Sequence, residues 1–179
     1  MKRYIALLRG INISGKNKIS MVELKKCFEL LNFTNVKTHL NSGNVIFSNE
    51  EENISDLTKL IEQMIKNDFN LEIPVFIILQ EELKDILDHA PTWWGTDNKD
   101  IYDNLIFIMP PVTFVDVYNE IGEPKEGLEQ IKEYKSAVFW SFSLKDYRKT
   151  NWWSKTINAS VACKLTIRTA NTIRKISTM

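Results

Sequence analysis

The first eighteen residues constrain this chain more than any other stretch. Tyr4-Ile5-Ala6-Leu7-Leu8 is apolar throughout, and the polar, cationic loop Arg9-Gly10-Ile11-Asn12-Ile13-Ser14-Gly15-Lys16-Asn17-Lys18 follows it. A short apolar run bounded by glycine reads as a strand buried on both faces. Such a strand belongs in the middle of a sheet, and the loop that leaves it is where α/β proteins place binding groups. The loop nearly spells G-x-x-x-x-G-K-[ST], the phosphate-cradling P-loop, with Asn17 standing where the metal-binding hydroxyl should be. No apolar strand ends in the aspartate that would hold magnesium, so nucleotide hydrolysis is not expected. Anion binding and a plain structural loop remain as readings.

Periodicity along the chain gives the order of elements. Ser20 and Glu23 have the spacing of a capping box ahead of a helix to about Leu31. Val36–Leu40 and Val45–Phe47 flank the turn Asn41-Ser42-Gly43-Asn44 and read as a hairpin. Helical spacing of Ile54, Leu57, Ile61 and Ile65 follows, then a strand over 74–79 and a short helix over 81–89. The order β-α-β-β-α-β is that of the ferredoxin-like split βαβ motif, in which the first strand is central in an antiparallel sheet. The pattern then repeats: strand 105–109, helix 113–121, hairpin 131–134 and 137–142, a largely helical 151–163, strand 165–167 and a last helix from Thr169. The chain is therefore expected to be of α/β class, α+β in type, built from two tandem ferredoxin-like units: 1–89, a connector 90–102, and a less regular 103–179.

Charge is balanced overall but unevenly placed. Residues 1–18 carry five basic residues and no acid, residues 145–179 carry eight basic residues and one acid, and the net charge is zero. Basic ends on a neutral protein attract anions. The acidic middle opposes an extended phosphate backbone, so only weak, salt-sensitive affinity for nucleic acid is expected. No apolar run reaches the roughly 18 residues of a membrane span, and Arg9 interrupts the first one, so neither a membrane anchor nor a signal peptide is read there. Two cysteines, Cys27 and Cys163, make no disulfide framework and suit a reducing, cytoplasmic compartment. Two histidines, His39 and His89, have no partners at ligand spacing, so no metal site is implied. The pairs Trp93-Trp94 and Trp152-Trp153 are expected to bury a seam between the two half-domains.

Near the end, Thr166-Ile167-Arg168-Thr169-Ala170-Asn171-Thr172 packs polar groups around a strand-to-helix junction. Thr169 can cap the last helix, and Arg168 can grip a carboxylate or phosphate bidentately. Together with Tyr4-Ile5-Ala6-Leu7-Leu8-Arg9-Gly10-Ile11-Asn12, Gly15-Lys16-Asn17, Met21 and Ser42-Gly43-Asn44, these residues resemble the bacterial family catalogued as domain-of-unknown-function family 1697. The resemblance spans essentially the whole chain. It implies a cytoplasmic protein of two ferredoxin-like units with no established activity. The family's motif positions fall on Arg9, Asn12, Lys16, Ser42, Asn44, Arg168, Asn171 and Thr172, and these are the candidate ligand-binding residues.

The leading expectation is a binding protein for a small anionic ligand, phosphorylated or carboxylated, such as a nucleotide. The loop Asn12–Lys18, the turn Ser42–Asn44 and the junction Arg168–Thr172 are expected to meet around it. Arg9, Lys16 and Arg168 would supply charge; Asn12, Ser42, Asn44 and Asn171 would supply oriented hydrogen bonds. The alternatives are a nucleic-acid-binding protein and an enzyme on an anionic substrate. The residues name no catalytic group and no cofactor.

Overall fold

A computed structural model describes residues 1–179, and the chain divides into two compact units. The first comprises Met1–Lys84 with Ile176–Met179, and the second Asp85–Lys175. The last four residues group with the first unit, where Arg3 Nη2 and Lys37 Nζ donate to the Met179 carbonyl at 3.2 and 3.3 Å. A linear reading of periodic segments does not reveal that return.

In the first unit, β1 (Lys2–Leu8), α1 (Met21–Leu30), β2 (Thr34–His39), β3 (Asn44–Asn49), α2 (Ile54–Phe69) and β4 (Val75–Leu79) follow in order. The sheet order is β2-β3-β1-β4, all antiparallel, with β1 paired on both sides. This is the ferredoxin-like arrangement, and the wholly apolar first strand occupies its expected central place. Tyr4, Ala6 and Leu8 face a core made by Leu24 and Phe28 of α1 and Leu57, Ile61 and Ile65 of α2. Ile5 and Leu7, on the other face, are fully buried too, which is why β1 has no polar alternation. Phe47 gathers Tyr4, Phe28 and Phe33 around it, with ring centroids 4.5–5.7 Å apart. The α1 cap is simpler than a box: the Ser20 hydroxyl accepts from the Glu23 N–H at 3.4 Å. The α2 cap is Asn53, which accepts from the Ser55 and Asp56 N–H groups.

The short helix α3 (Gln80–Asp88) leads to β5 (Ile101–Ile108), α4 (Phe114–Ile121), β6 (Glu129–Tyr134), β7 (Ala137–Ser143), α5 (Asn151–Thr156), β8 (Leu165–Thr169) and α6 (Ala170–Ser177). The second sheet has the order β6-β7-β5-β8, the same arrangement, with β5 central. Here Thr113 and Asp116 form a complete capping box on α4. Two expectations are corrected. The stretch 151–163 is one short α-helix and a separate 3-10 turn at Ser160–Lys164, because Thr156 and Asn158 turn their side chains back to carbonyls one turn earlier. Trp152 and Trp153 are not seam residues; they pack in this unit's own core with Trp140, Phe142 and Ile121.

That core encloses a carboxylate. Glu129, at 5% exposure, accepts from the N–H groups of Lys125 (2.9 Å), Asn151 (2.6 Å) and Trp152 (3.2 Å), and from the Trp140 indole N–H (3.0 Å). The orphan donors of the α5 N-terminus and of the loop before β6 are thus satisfied by one side chain. Removing it strands several buried donors at once. Glu129→Ala should therefore destabilise the protein by about 3 kcal/mol or more in denaturant unfolding, and Glu129→Gln by clearly less. Equal stability of Glu129→Ala and the parent would refute this role.

Candidate functional site

The loop after β1 is held together by hydrogen bonds of its asparagines. Asn12 and Asn17 adopt left-handed backbone (φ 55° and 47°), a conformation that asparagine tolerates better than most residues. The Asn12 Nδ2 donates to the Ile19 and Asn41 carbonyls, each at 2.9 Å, and its Oδ1 accepts from the Ile19 N–H at 2.9 Å. Asn17 Nδ2 donates to the Gly10 carbonyl at 3.0 Å. Inside the loop, Lys16 N–H donates to Ile13 and Asn12 N–H to Asn17, at 2.9 and 3.1 Å. Those two backbone donors point at the loop's own carbonyls, and the Lys16 and Lys18 side chains are exposed.

The Asn12–Asn41 bond ties this loop to the β2–β3 turn. Gly43 is held against it: its carbonyl accepts from the Leu8 N–H at 2.8 Å, and a Cβ at position 43 would lie 2.7 Å from the Leu8 Cβ and 2.9 Å from the Ile11 Cδ1. Asn44 is fully buried and donates to the His39 carbonyl and the Ser42 hydroxyl at 2.8 and 3.0 Å. Thus five of the candidate residues, Arg9, Asn12, Lys16, Ser42 and Asn44, lie on two adjoining segments of the first unit. Asn12 and Asn44 brace the frame, Arg9 is half-buried, and Lys16 stands free of it.

The other three belong to the second unit. Arg168 on β8 is buried, and its Nη1 donates to Thr166 Oγ1 at 3.0 Å and to the Ile167 carbonyl at 2.9 Å. Burial pushes its guanidinium down to about 10, which leaves it charged at neutral pH. Thr172 is buried and shares a hydroxyl–hydroxyl bond with Thr169 at 3.0 Å, while the Thr169 hydroxyl accepts from the Thr172 N–H at 3.4 Å and caps α6. Asn171 is exposed and borders a cleft of about 360 Å³. Much of the basic excess near the chain's end is committed: Lys149 pairs with Asp146 at 2.8 Å, Arg148 lies over the Tyr147 ring, and Arg174 donates to the Gly95 carbonyl beside Trp94.

Sequence reasoning passed over Asp103. It is 8% exposed on β5, bonded to the Ser141 hydroxyl of β7, and lines the same cleft as Asn171. The signal was a lone aspartate at the start of an apolar strand. No three or more His, Cys, Asp or Glu side chains gather as metal ligands. No helix is long and apolar enough to cross a membrane.

Two antiparallel four-stranded sheets in the ferredoxin-like order, each with helices on its face, define a tandem α+β protein of this class. Residues 1–139 match the family model described as protein of unknown function (DUF1697), and the chain belongs to that family. Its structure is similar to that of the conserved bacterial protein SP0830 from Streptococcus pneumoniae, at 26% identity and a TM-score of 0.86, over 99% of this chain and 97% of the other. No curated protein matches the sequence.

Two outcomes follow from this geometry. Gly43→Ala should cost about 1–3 kcal/mol in chemical denaturation, since φ is +75° and the added methyl meets Leu8 and Ile11; an unchanged midpoint would refute the close approach. The Cys27 thiol is pushed up to about 11 by burial and by Asp68, so it stays protonated at pH 8. Iodoacetamide at pH 8 should modify the exposed Cys163 well before Cys27, read by peptide mass spectrometry. Equal labelling rates would contradict the assignment.

Proposed function

We propose that the protein binds a small anionic ligand, phosphorylated or carboxylated, at the loop Asn12–Lys18 and the adjoining turn Ser42–Asn44. The observation that carries this reading is the side chain of Asn12. Its three hydrogen bonds fix the loop to Ile19 and to Asn41, so the basic residues Lys16 and Lys18 are displayed on a preorganised frame. Preorganisation lowers the ordering cost that otherwise weakens ligand binding. The first eighteen residues contain no acid to oppose an anion. In this proposal Arg9 and Lys16 supply charge, Ser42 contributes an orienting hydroxyl, and Asn12 and Asn44 act through the frame. Two free thiols and the family resemblance support a cytoplasmic setting.

Thermal unfolding in the presence of inorganic phosphate, pyrophosphate, mononucleotides, sugar phosphates and citrate tests the proposal, because a ligand specific to the native state raises the melting temperature. At least one of these anions should raise it, and added salt should weaken the effect. Lys16→Ala should reduce affinity by about ten-fold with little change in the melting temperature of the free protein. Absence of any shift, or full affinity in Lys16→Ala, would overturn it. Submicromolar binding of short RNA or single-stranded DNA at physiological salt would replace it with the nucleic-acid reading.

A further inference from the structure

The cleft of about 360 Å³ in the second unit has an unusual wall. It is formed by the connector before β5, the start of β5 and the first residues of α6. Asp103 lines it with more than nine-tenths of its surface buried. One carboxylate oxygen accepts from the Ser141 hydroxyl; the other has no partner in the protein and is not sealed from solvent. A buried carboxylate is expensive unless its hydrogen-bonding capacity is met. Ser141 meets half of it, and also fixes which way the carboxylate points. The remaining oxygen is a preoriented acceptor at the wall of a polar cavity.

The same cleft holds groups of the opposite character. Lys99 lines it, exposed and without a carboxylate partner. The first turn of α6 opens on it through Thr169, Ala170 and Asn171, and carries no acid of its own. That end of a helix favours a negative group, as does a lysine. Asp97 adds a second carboxylate to the lining. A simple anion would leave Asp103 and Asp97 unmatched, and a simple cation would leave Lys99 and the helix end unmatched. A ligand with both charges matches all of them, and the volume is near the lower bound for small-molecule sites.

We infer that this cleft binds a small zwitterion of the α-amino-acid type. Its ammonium group donates to Asp103, and its carboxylate lies against Lys99 and the first turn of α6. The residues involved are distinct from those of the N-terminal loop, so this site and the anion site stand or fall separately.

Calorimetric titration of the full chain with the proteinogenic amino acids, their N-acetyl derivatives and their amides tests the assignment. At least one free amino acid should bind. Its N-acetyl form, which lacks the ammonium, and its amide, which lacks the carboxylate, should each bind about ten-fold more weakly or worse. Asp103→Asn removes the charge but keeps an acceptor for Ser141, and should weaken the free amino acid by a similar factor. Lys99→Glu, at an exposed position, provides a second variant with the fold undisturbed, and should weaken the carboxylate end. The proposal is overturned if no free amino acid binds. It is overturned equally if the amide or the N-acetyl form binds as tightly as the parent, or if folded Asp103→Asn and Lys99→Glu retain full affinity.

Discussion

Each half of this protein depends on one apolar strand paired on both sides. β1 is hydrogen-bonded to β3 along one edge and β4 along the other, and β5 likewise to β7 and β8. Burial on both faces removes any solvent-facing side from such a strand, so a one-residue slip would exchange two equally apolar sets without exposing either. Register must then come from the neighbours. In the first unit it comes from Phe47, which sits opposite Tyr4 and packs against Phe28 and Phe33. It also comes from the Leu8–Gly43 bond, which closes the end of the strand against the β2–β3 turn. In the second, the Asp103–Ser141 and Trp94–Asn104 hydrogen bonds pin the start of β5.

Around those strands, polar side chains divide into builders and presenters. Asn12, Asn17, Asn44 and Glu129 are builders: their polar atoms answer backbone groups that loops and helix ends leave open. Lys16, Lys18, Lys99 and Asn171 are presenters, exposed on frames that the builders hold. A motif such as Arg9-Gly10-Ile11-Asn12 combines both kinds, so the same few residues carry the fold and any chemistry. This is why a mutation at Asn12 tests stability, while one at Lys16 tests recognition. Family membership adds an architecture shared with other chains, and leaves the chemistry to be argued from the residues themselves.

Much of the architecture is legible in the amino-acid sequence alone. The apolar run Tyr4–Leu8 announced a central strand, and the alternation of strand and helix periods announced two ferredoxin-like units, because burial imposes the same period locally wherever a segment packs. The site was legible only as a set of residue types. Glycine at 43 could be seen to suit a turn, but its reason, the approach of Leu8 and Ile11, requires two segments to meet. The aspartate at 103 looked like a strand-end polar residue; its burial against Ser141 depends on a pairing between β5 and β7. Trp152 and Trp153 looked like seam-fillers, because aromatic pairs signal burial without saying in which core.

The sequence by itself determined the element order, the centrality of β1 and the basic character of the N-terminal loop. Those properties follow from local periodicity and from charge, which are additive along a chain. Only the tertiary structure decided that the last four residues rejoin the first unit, that Glu129 serves the orphan donors of α5, and that Asp103, Lys99 and Asn171 line one cleft. Each of these needs residues far apart in the chain to be brought within reach of one another, and neither spacing nor composition encodes that.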